Sequence, residues 1–268
     1  MGEARRGWAA VGARSATFPG VTDEALVEVL REAAVAVRAA LDDLQDWGLA
    51  GTRPGQYRSD LEADEAAIRV LDREGLGILS EETGLHHPER DVIVALDPVD
   101  GSTNASRELP WFASSLCAVD ADGARAAFVV NQATGESFEA VRGGGARSGD
   151  APLSTSGCES LRTAVVALSG WPPRHGGWKQ MRALGAAALD ICAVAAGRLD
   201  AYIDFSPNAH GPWDYLAAML ICQEGGGSVV DAFGRDLLCL DHDCRRTPLA
   251  AATPALLADL VALRTSES

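Results

Sequence analysis

Lysine is almost missing from this chain of 268 residues, since only Lys179 among its 23 basic residues is a lysine. The 38 acidic residues outnumber the basic ones and give the chain a formal net charge of −15. Proteins that bind nucleic-acid polymers need clustered basic residues to displace counterions from phosphates, so the charge argues against a general nucleic-acid binder and we expect no nucleic-acid polymer as partner. A small anionic substrate would be repelled by such a chain, and a bound divalent cation is one way to offset that repulsion.

The sequence also contains no CxxC pair and no apolar run of the roughly 18–20 residues that a membrane span requires. Arg5 and Arg6 near the N-terminus are not followed by an apolar segment, which argues against a secretory signal. The cysteines are Cys117, Cys158, Cys192, Cys222, Cys239 and Cys244. Several lie in apolar stretches, where a free thiol packs as a small hydrophobic group. We therefore expect reduced thiols, a cytoplasmic protein and no membrane partner.

Apolar periodicity divides the chain into three parts. Residues 1–20 show no clear period and are expected to form a loose tail. Residues 21–150 contain two helical patterns and several strand-like runs joined by short turns, which predict an antiparallel sheet in an α+β half. Residues 151–268 alternate helical and strand patterns, which is typical of an α/β half.

The individual elements follow from the same patterns. Helices are predicted at 22–47, from a capping box at Ser59 and Glu62 to about Gly75, and at 186–196, 213–224 and 254–264. Strands are predicted at 78–79, 92–96, 115–119, 126–130, 137–141, 163–168, 229–230 and 249–252. The fold class is therefore α+β followed by α/β.

Residues 97–104 carry most of the chemistry that the sequence offers. They read Asp-Pro-Val-Asp-Gly-Ser-Thr-Asn and directly follow the apolar run 92–96. Asp97 and Asp100 would be costly at a buried strand end unless they faced water or a cation. Gly101 permits a close approach to the backbone, and a helix starting at Ser102 would offer free N–H groups to an anion. A capped turn with solvated acids explains the same residues, so this segment alone decides nothing.

Three further acids are candidates for the same site. Glu81 and Glu82 follow the predicted strand at 78–79, and Asp214 opens the predicted helix at 213–224. Each has an ordinary explanation, because adjacent glutamates are commonly solvated and an acid in a first helical turn interacts with the helix dipole. A cation site that collects acids from distant parts of the chain is the alternative.

Together these motifs resemble the inositol monophosphatase family, within the wider group that includes fructose-1,6-bisphosphatase. That family shows Gly-Glu-Glu, then Asp-Pro-Ile/Leu-Asp-Gly-Thr-x-Asn, then Trp-Asp-x-Ala-Ala and a later Glu-Ala-Gly-Gly. The chain has similar motifs in the same order at 80–82, 97–104, 213–218 and 224–227, and a further match at 185–202. The resemblance implies a layered αβαβα sandwich and hydrolysis of a small phosphorylated metabolite.

The resemblance also implies roles for single residues. Two or three Mg²⁺ ions would be held by oxygen ligands, which are those of Glu81, Asp97, the carbonyl of Val99, Asp100 and Asp214. Glu81, Asp64 and Ser102 would act on the attacking water, and Ser102 would relay its proton with Asp64. The residues on the phosphate and substrate side would be Gly101, Ser102, Thr103, Gly185, Ala187, Asp204 and His210. A homodimer is implied in the same way.

Two departures from the family pattern leave the substrate open. The family's Thr-x-x-Asp before the second helix is not clear, and we take Asp64 as its acid. The segment 203–212 is longer than usual, so that the position of a family Glu that contacts the sugar alcohol falls on Pro207. Asp204, Asn208 or His210 would make that contact instead.

Several functions therefore remain open after the sequence. Histidinol phosphate, a 3′-phosphoadenosine nucleotide, fructose 1,6-bisphosphate and a phosphorylated intermediate of a specialised pathway are alternatives to an inositol phosphate. A metal-bound relic of the family that acts by protein contact is the alternative from another class. Cys239, His242 and Cys244 lack the paired spacing of a structural zinc site, and we interpret them as a solvated loop.

Overall fold

The computed structural model of the protein describes residues 22–52 and 55–266. The helices within these residues are α1 (Asp23–Asp43), α2 (Arg58–Arg73), α3 (Ser102–Ser106), α4 (Ala187–Ala195), α5 (Pro212–Glu224) and α6 (Pro254–Thr265). The strands are β1 (Gly77–Ser80), β2 (Gly84–His86), β3 (Ile93–Asp100), β4 (Ala113–Asp120), β5 (Gly123–Asn131), β6 (Ser137–Val141), β7 (Gly145–Ser148), β8 (Ala151–Pro152), β9 (Val165–Ser169), β10 (Gln180–Arg182), β11 (Ala201–Asp204), β12 (Ser228–Asp231) and β13 (Pro248–Ala251). The tail predicted for residues 1–20 lies outside the described residues.

The predicted helices are present, and hydrogen bonds at their N-termini explain where they begin. Thr22 caps α1, because its Oγ1 accepts a hydrogen bond from the N–H of Ala25 at 3.2 Å. The second helix begins at Arg58, and the carboxylate of Asp60 accepts the N–H of Tyr57 at 2.9 Å. Asp60 therefore takes the capping role that we predicted for Ser59 and Glu62.

The first sheet has eight strands in the order β2-β1-β3-β4-β5-β6-β7-β8. β1 and β3 are parallel and the other neighbouring pairs are antiparallel, so the predicted antiparallel sheet gains one parallel pair. Residues 97–100 continue β3, but the pairing of β3 with β4 shifts register between Asp97 and Asp100. Pro98 lies in this irregular stretch, where the missing N–H of a proline costs no ladder hydrogen bond.

The second sheet has five strands in the order β10-β9-β11-β13-β12. β9 runs parallel to β10 and β11, while β13 runs antiparallel to β11 and β12. The sequence patterns did not reveal β10 or β11. β10 consists of three exposed residues at the sheet edge, and β11 is a fully buried run of four residues, so neither shows the alternation that marks a half-buried strand.

Three apolar clusters hold five layers of helices and sheets together. The first packs α1 and α2 on one face of the first sheet. The second lies between the two sheets and surrounds α4 and α5, which are apolar on nearly all sides. The third packs α6 on the far face of the second sheet. The order helix, sheet, helix, sheet, helix confirms the predicted αβαβα sandwich.

The chain passes from the first sheet to the second after β8, which pairs with β7 through Ala151 and Ser148. Residue 150, near which we expected a subdomain boundary, lies in the turn of this hairpin, and the first sheet ends at Pro152. None of the described helices combines the length and the apolar character needed to cross a bilayer.

Candidate active site

The C-terminal ends of β1 and β3 bring two acidic motifs together. These strands are parallel, so their ends meet at one edge of the first sheet. Glu81 follows β1 directly, and its N–H donates to the carbonyl of Leu96 in β3 at 3.1 Å. Asp97 is the next residue of β3. The two carboxylates therefore arise from neighbouring positions in the sheet.

Asp214 reaches the same place from the first turn of α5. Pro212 occupies the first helical position, where the missing N–H of a proline is not needed. The N–H of Gly211 donates to Oδ2 of Asp214 at 2.7 Å, which fixes the orientation of that carboxylate. One carboxylate oxygen each from Glu81, Asp97 and Asp214 lies within 4.8 Å of the others. The structure thus collects acids from both halves of the chain.

The end of β3 is held by hydrogen bonds within the motif itself. Oδ1 of Asp97 accepts the N–H of Val99 at 2.9 Å, and the hydroxyl of Ser102 donates to the carbonyl of Val99 at 3.0 Å. Gly101 has a φ of 90°, and a Cβ at this position would stand 3.0 Å from the carbonyl oxygen of Gly185. Glycine is therefore required here, and α3 begins at the next residue.

The other residues predicted on the phosphate side surround the start of α3. Thr103 is exposed, and its Oγ1 lies 3.5 Å from the hydroxyl of Tyr57. Gly185 is exposed beside Asn104, whose side-chain amide donates to the carbonyl of Leu184 at 2.7 Å. This hydrogen bond ties the chain before α4 to α3, so that both segments border one surface.

Asp100 is held by the first turn of α4. Its carboxylate accepts the N–H of Ala187 at 3.2 Å and that of Ala188 at 2.7 Å. Ala187 therefore presents its amide to Asp100, and the substrate contact that we expected of Ala187 stays a prediction. Burial and the charge of Asp214 raise the pKa of Asp100 to about 7, although the two amides oppose this shift.

The carboxylates of Glu81 and Asp97, like that of Asp100, are repelled by neighbouring acids. Burial raises the pKa of both carboxyls well above the usual range, and neighbouring acids raise it further. The strongest of these neighbours is Asp214 for Glu81 and Glu81 for Asp97. Carboxylates packed this closely stay ionised only when positive charge lies between them. A divalent cation meets that requirement, and hard oxygen ligands favour Mg²⁺.

We expect the metal-free protein to lose stability as the pH rises from about 5.5 to about 8, by an amount on the order of a few kcal/mol. The pKa of Asp100 is about 7 in the folded chain and lower in the unfolded chain, so the folded state binds more protons in this range and loses stability as they dissociate. His210, whose folded pKa is raised to about 9, changes stability in the same direction.

Urea unfolding in EDTA at several pH values measures this slope. Asp100→Asn removes one of the titrating groups and should flatten the curve. A metal-free stability that stayed constant or increased across this pH range would contradict the assignment.

His210, in the segment 203–212, is the basic side chain beside these acids. Its Nδ1 lies 3.3 Å from Oδ2 of Asp214, and its Nε2 lies 3.0 Å from the hydroxyl of Tyr202. Burial lowers the pKa of His210, but the hydrogen bond and charge of Asp214, with Asp204 and Asp100 adding to it, raise that pKa to about 9. His210 therefore offsets part of the negative charge at one side of the cluster.

Asp204 is a second acid beside His210. Its side chain is fully buried at the end of β11, and its Oδ2 lies 3.6 Å from Nε2 of His210. Burial raises the pKa of Asp204 to about 6, against the lowering effect of His210. Asp204 thus contacts His210, which in turn contacts Asp214, and the substrate contact that we predicted for Asp204 stays a prediction.

Two buried acids of α2, Asp60 and Asp64, have different surroundings. Asp64 is buried and accepts hydrogen bonds from the hydroxyls of Ser80 at 2.5 Å and Thr83 at 2.8 Å. Asp60, which we did not predict, adds its negative charge to those that raise the pKa of Glu81 and Asp97. The signal was present, because Tyr57 and Asp60 keep the spacing of the family's Thr-x-x-Asp with tyrosine in place of threonine.

The loop 239–244 departs from the prediction. Cys239 and Cys244 form a disulfide, so the prediction of six reduced cysteines is wrong for this pair. The N–H of Cys244 donates to the carbonyl of Asp241 at 3.0 Å, and this tight turn brings the two cysteines together. The loop is also not simply solvated, because His242 contacts the backbone of Glu81.

Comparison with known proteins agrees with this geometry. The profile of the "Inositol monophosphatase family" matches residues 58–266. A "Fructose-1,6-bisphosphatase/inositol-1-monophosphatase" of Archaeoglobus fulgidus is 32% identical over 221 residues, which cover 79% of this chain and 86% of the relative. An "Inositol-1-monophosphatase" of Mesorhizobium japonicum is 32% identical over 240 residues, which cover 80% of this chain and 88% of the relative.

A solved structure shows that the similarity extends to the fold. The extragenic suppressor protein suhB of Bartonella henselae superimposes with a TM-score of 0.76 at 27% identity, covering 91% of this chain and 100% of that chain. Sequence motifs, layered fold and acidic cluster therefore lead to one assignment. The chain belongs to the inositol monophosphatase family and is a phosphoric monoester hydrolase.

Proposed function

We propose that this hydrolase uses two or three Mg²⁺ ions, held by its own acidic cluster, to hydrolyse the phosphate of a small polyol or sugar phosphate. The observation that carries the proposal is the approach of carboxylate oxygens of Glu81, Asp97 and Asp214 to within 4.8 Å. The distant origin of these residues in the chain supports a common ligand, since solvated acids need not converge.

The proposed ligands divide into two sets that share Asp97. The first set is Glu81, Asp97 and the carbonyl of Val99, which is already fixed by the hydroxyl of Ser102. The second set is Asp97, Asp100 and Asp214. When bound, Mg²⁺ supplies positive charge that offsets the phosphate oxygens and lowers the pKa of a water molecule.

The chain's own residues would then hold the water and move its proton. Asp60 takes the role that we first gave to Asp64, because its charge acts on Glu81 and Asp97 whereas Asp64 is engaged by Ser80. A carboxylate near an attacking water accepts its proton as a general base. The hydroxyl of Ser102 is the proposed donor or acceptor that orients this water.

The phosphate would lie against the start of α3. The N–H groups of Gly101, Ser102 and Thr103 lie at the N-terminus of α3, which begins directly beside the acidic cluster. Backbone N–H groups in this position hold anionic oxygens without any lysine or arginine side chain. The phosphate would thereby be placed between the amides and the ions.

The leaving group would extend toward His210 and the segment 203–212. The imidazole of His210 lies between Asp214 and the buried Asp204. The names of the curated relatives support inositol monophosphate as the first candidate and fructose 1,6-bisphosphate as the second. Histidinol phosphate and 3′-phosphoadenosine nucleotides remain candidates, because the segment 203–212 differs from the pattern of inositol phosphatases.

A homodimer in the cytoplasm is the proposed state of the enzyme. The resemblance to the family supports the dimer. The free thiols of Cys117, Cys192 and Cys222 support a reducing compartment, in which the Cys239–Cys244 disulfide would be a redox-responsive pair. Light scattering on the purified protein measures the oligomeric state. A monomer at micromolar concentration would contradict the dimer.

Phosphate release from a substrate panel tests the function. We expect Mg²⁺-dependent turnover of at least one of inositol 1-phosphate, fructose 1,6-bisphosphate, histidinol phosphate, 3′-phosphoadenosine 5′-phosphate and glycerol 2-phosphate, and no turnover in EDTA. The ratio of kcat/KM between substrates identifies the leaving group. Turnover that persisted in EDTA would contradict the metal mechanism, and silence on the whole panel would favour an unlisted substrate or a non-catalytic role.

A further inference from the structure

The loop 239–244 is closed at both ends. Cys239 and Cys244, at a sequence separation of 5, are joined by a disulfide. Within the loop, the carbonyl of Asp241 accepts the N–H of Cys244 at 3.0 Å, and Oδ1 of Asp241 accepts the N–H of Asp243 at 2.9 Å. These contacts leave His242 projecting from a tight turn whose conformation the disulfide restricts.

His242 contacts the residue that supplies one of the proposed metal ligands. Its Nε2 lies 3.1 Å from the backbone carbonyl oxygen of Glu81. A carbonyl oxygen only accepts, so Nε2 carries the proton and donates. The imidazole also packs against the indole of Trp213, with ring centroids 5.0 Å apart. Trp213 precedes Asp214, so His242 contacts the backbone of one candidate ligand and the side chain next to another.

Arg245 fastens the same loop from its other end. One guanidinium nitrogen donates to the carbonyl of His242 at 2.7 Å and to that of Cys244 at 2.8 Å. The guanidinium carbon lies 5.0 Å from the centroid of the Trp213 indole, which is a cation–π distance. The position of His242 is therefore restricted by the Cys239–Cys244 disulfide and by Arg245, which packs on the indole of Trp213.

The contact of His242 completes the fixing of the Glu81 backbone. The N–H of Glu81 is paired with Leu96, and His242 satisfies its carbonyl. When hydrogen bonds hold both the N–H and the carbonyl of a metal-ligating residue, that residue loses less conformational entropy on binding the cation. Residues that contact a metal ligand from outside the site commonly affect the affinity for the metal. Glu81 lies just beyond the end of β1, so this contact joins the loop 239–244 to the segment that carries the ligand.

We propose that His242 is a positioning residue for Glu81 and that the Cys239–Cys244 disulfide maintains it, so that reduction of the disulfide weakens Mg²⁺ binding. This inference rests on the proposed metal site. In the step, a dithiol transfers two electrons and two protons to the S–S bond, which yields the thiols of Cys239 and Cys244 and the cyclic disulfide of the reductant. Both cysteines are partly exposed, so a reductant reaches them.

Hydrogen–deuterium exchange of the metal-free protein tests the coupling without any metal. Dithiothreitol should accelerate exchange in the peptide that contains residues 78–85 about three- to tenfold. His242→Leu, which lacks the donor, should exchange as fast as the reduced protein. His242→Gln, whose amide reaches a similar position and still donates, should restore most of the protection.

Calorimetric titration with Mg²⁺, without substrate, tests the consequence. We expect reduction to raise the dissociation constant about three- to tenfold, less than the loss typical of a direct partner of a ligating side chain. Cys239→Ser with Cys244→Ser should bind like the reduced protein and should not respond to dithiothreitol. Cys158→Ser, at a free and partly exposed cysteine, is the matched control and should respond like the unmodified chain.

The outcomes distinguish a failure of this inference from a failure of the proposed function. Mg²⁺ binding that Asp97→Asn abolishes, but that reduction leaves unchanged, would overturn the inference and keep the proposed function. Unchanged exchange in residues 78–85 after reduction would also overturn it, whatever the metal does. Mass spectrometry that found two free thiols at Cys239 and Cys244 in protein purified without reductant would do the same.

Discussion

Asp97→Asn should lower kcat/KM for the best substrate about 1,000-fold or more, because Asp97 belongs to both proposed ligand sets. Loss of a shared ligand removes several kcal/mol of charge stabilisation from the transition state, and each 1.4 kcal/mol is a factor of about ten in rate. Phosphate release at saturating Mg²⁺ measures the effect. The substitution keeps the size and shape of the side chain, so the change in charge is what the assay reports.

The same substitution should stabilise the metal-free protein. Burial and the charge of Glu81 raise the pKa of Asp97, which shows that its ionised form is unfavourable where no cation is bound. A neutral amide removes this repulsion, and we expect a gain of about 1 kcal/mol, or a Tm rise of about 2–4 °C for a chain of this size. Mg²⁺ should raise the Tm of the unmodified protein and leave that of the variant almost unchanged.

Asp91→Asn is the matched control for this pair of effects. Asp91 is exposed shortly before β3 and outside the acidic cluster, so the same chemical change there should alter neither turnover nor the response to Mg²⁺. An Asp97→Asn variant that kept activity within tenfold of the unmodified enzyme would refute the metal assignment. A variant that was both inactive and less stable would show only that the side chain is structural.

Asp60→Asn and Asp64→Asn should separate two roles within one helix. We expect Asp60→Asn to lower kcat about 100-fold, the usual contribution of a general base, with Mg²⁺ affinity changed only a few-fold. The asparagine oxygen still accepts the N–H of Tyr57, so α2 keeps its capping contact. Steady-state kinetics at saturating Mg²⁺, with calorimetry of the metal-free and Mg²⁺-bound forms, measure both quantities.

Asp64→Asn should act on stability instead. Its carboxylate accepts the hydroxyls of Ser80 and Thr83 in a buried position, and a neutral amide would weaken these charge-assisted hydrogen bonds. We expect a loss of about 1–3 kcal/mol in the free energy of unfolding and a fall in kcat of less than tenfold. Glu62→Gln, an exposed acid between the two positions, serves as control. If Asp64→Asn caused the greater fall in kcat, the roles assigned here would be reversed.

The layers of the fold could be predicted from sequence because their determinants are local. The apolar stripe of α1, the buried run of β3 and the largely apolar helices α4 and α5 each show a pattern of their own. β10 and β11 show none, since the first is exposed and the second too short. Their pairing with β9 fixes them, and pairing is a property of the folded sheet that no single segment contains.

The candidate site could likewise be predicted only in part. The motifs named Glu81, Asp97 and Asp214, but their approach to within 4.8 Å is a consequence of the fold. From the sequence we chose Asp64 and passed over Asp60. The two acids lie four residues apart on one buried face of α2, so their contacts in the folded chain, with Tyr57 and with Ser80, are what distinguish them. The disulfide was missed because a spacing of five positions has no diagnostic motif, and its formation depends on a turn at Asp241.

The two-part origin of the acidic cluster also bears on how the protein is made. The ribosome delivers Glu81, Asp97 and Asp100 well before Asp214 and His210, which lie beyond residue 200. A nascent chain that has completed only the first sheet holds three acids without their histidine neighbour, and N-terminal regions tend to fold first during synthesis. The second proposed ligand set, which includes Asp214, would therefore be complete only after α5 has docked against the first sheet, so that uptake of this ion would be a late event in biogenesis.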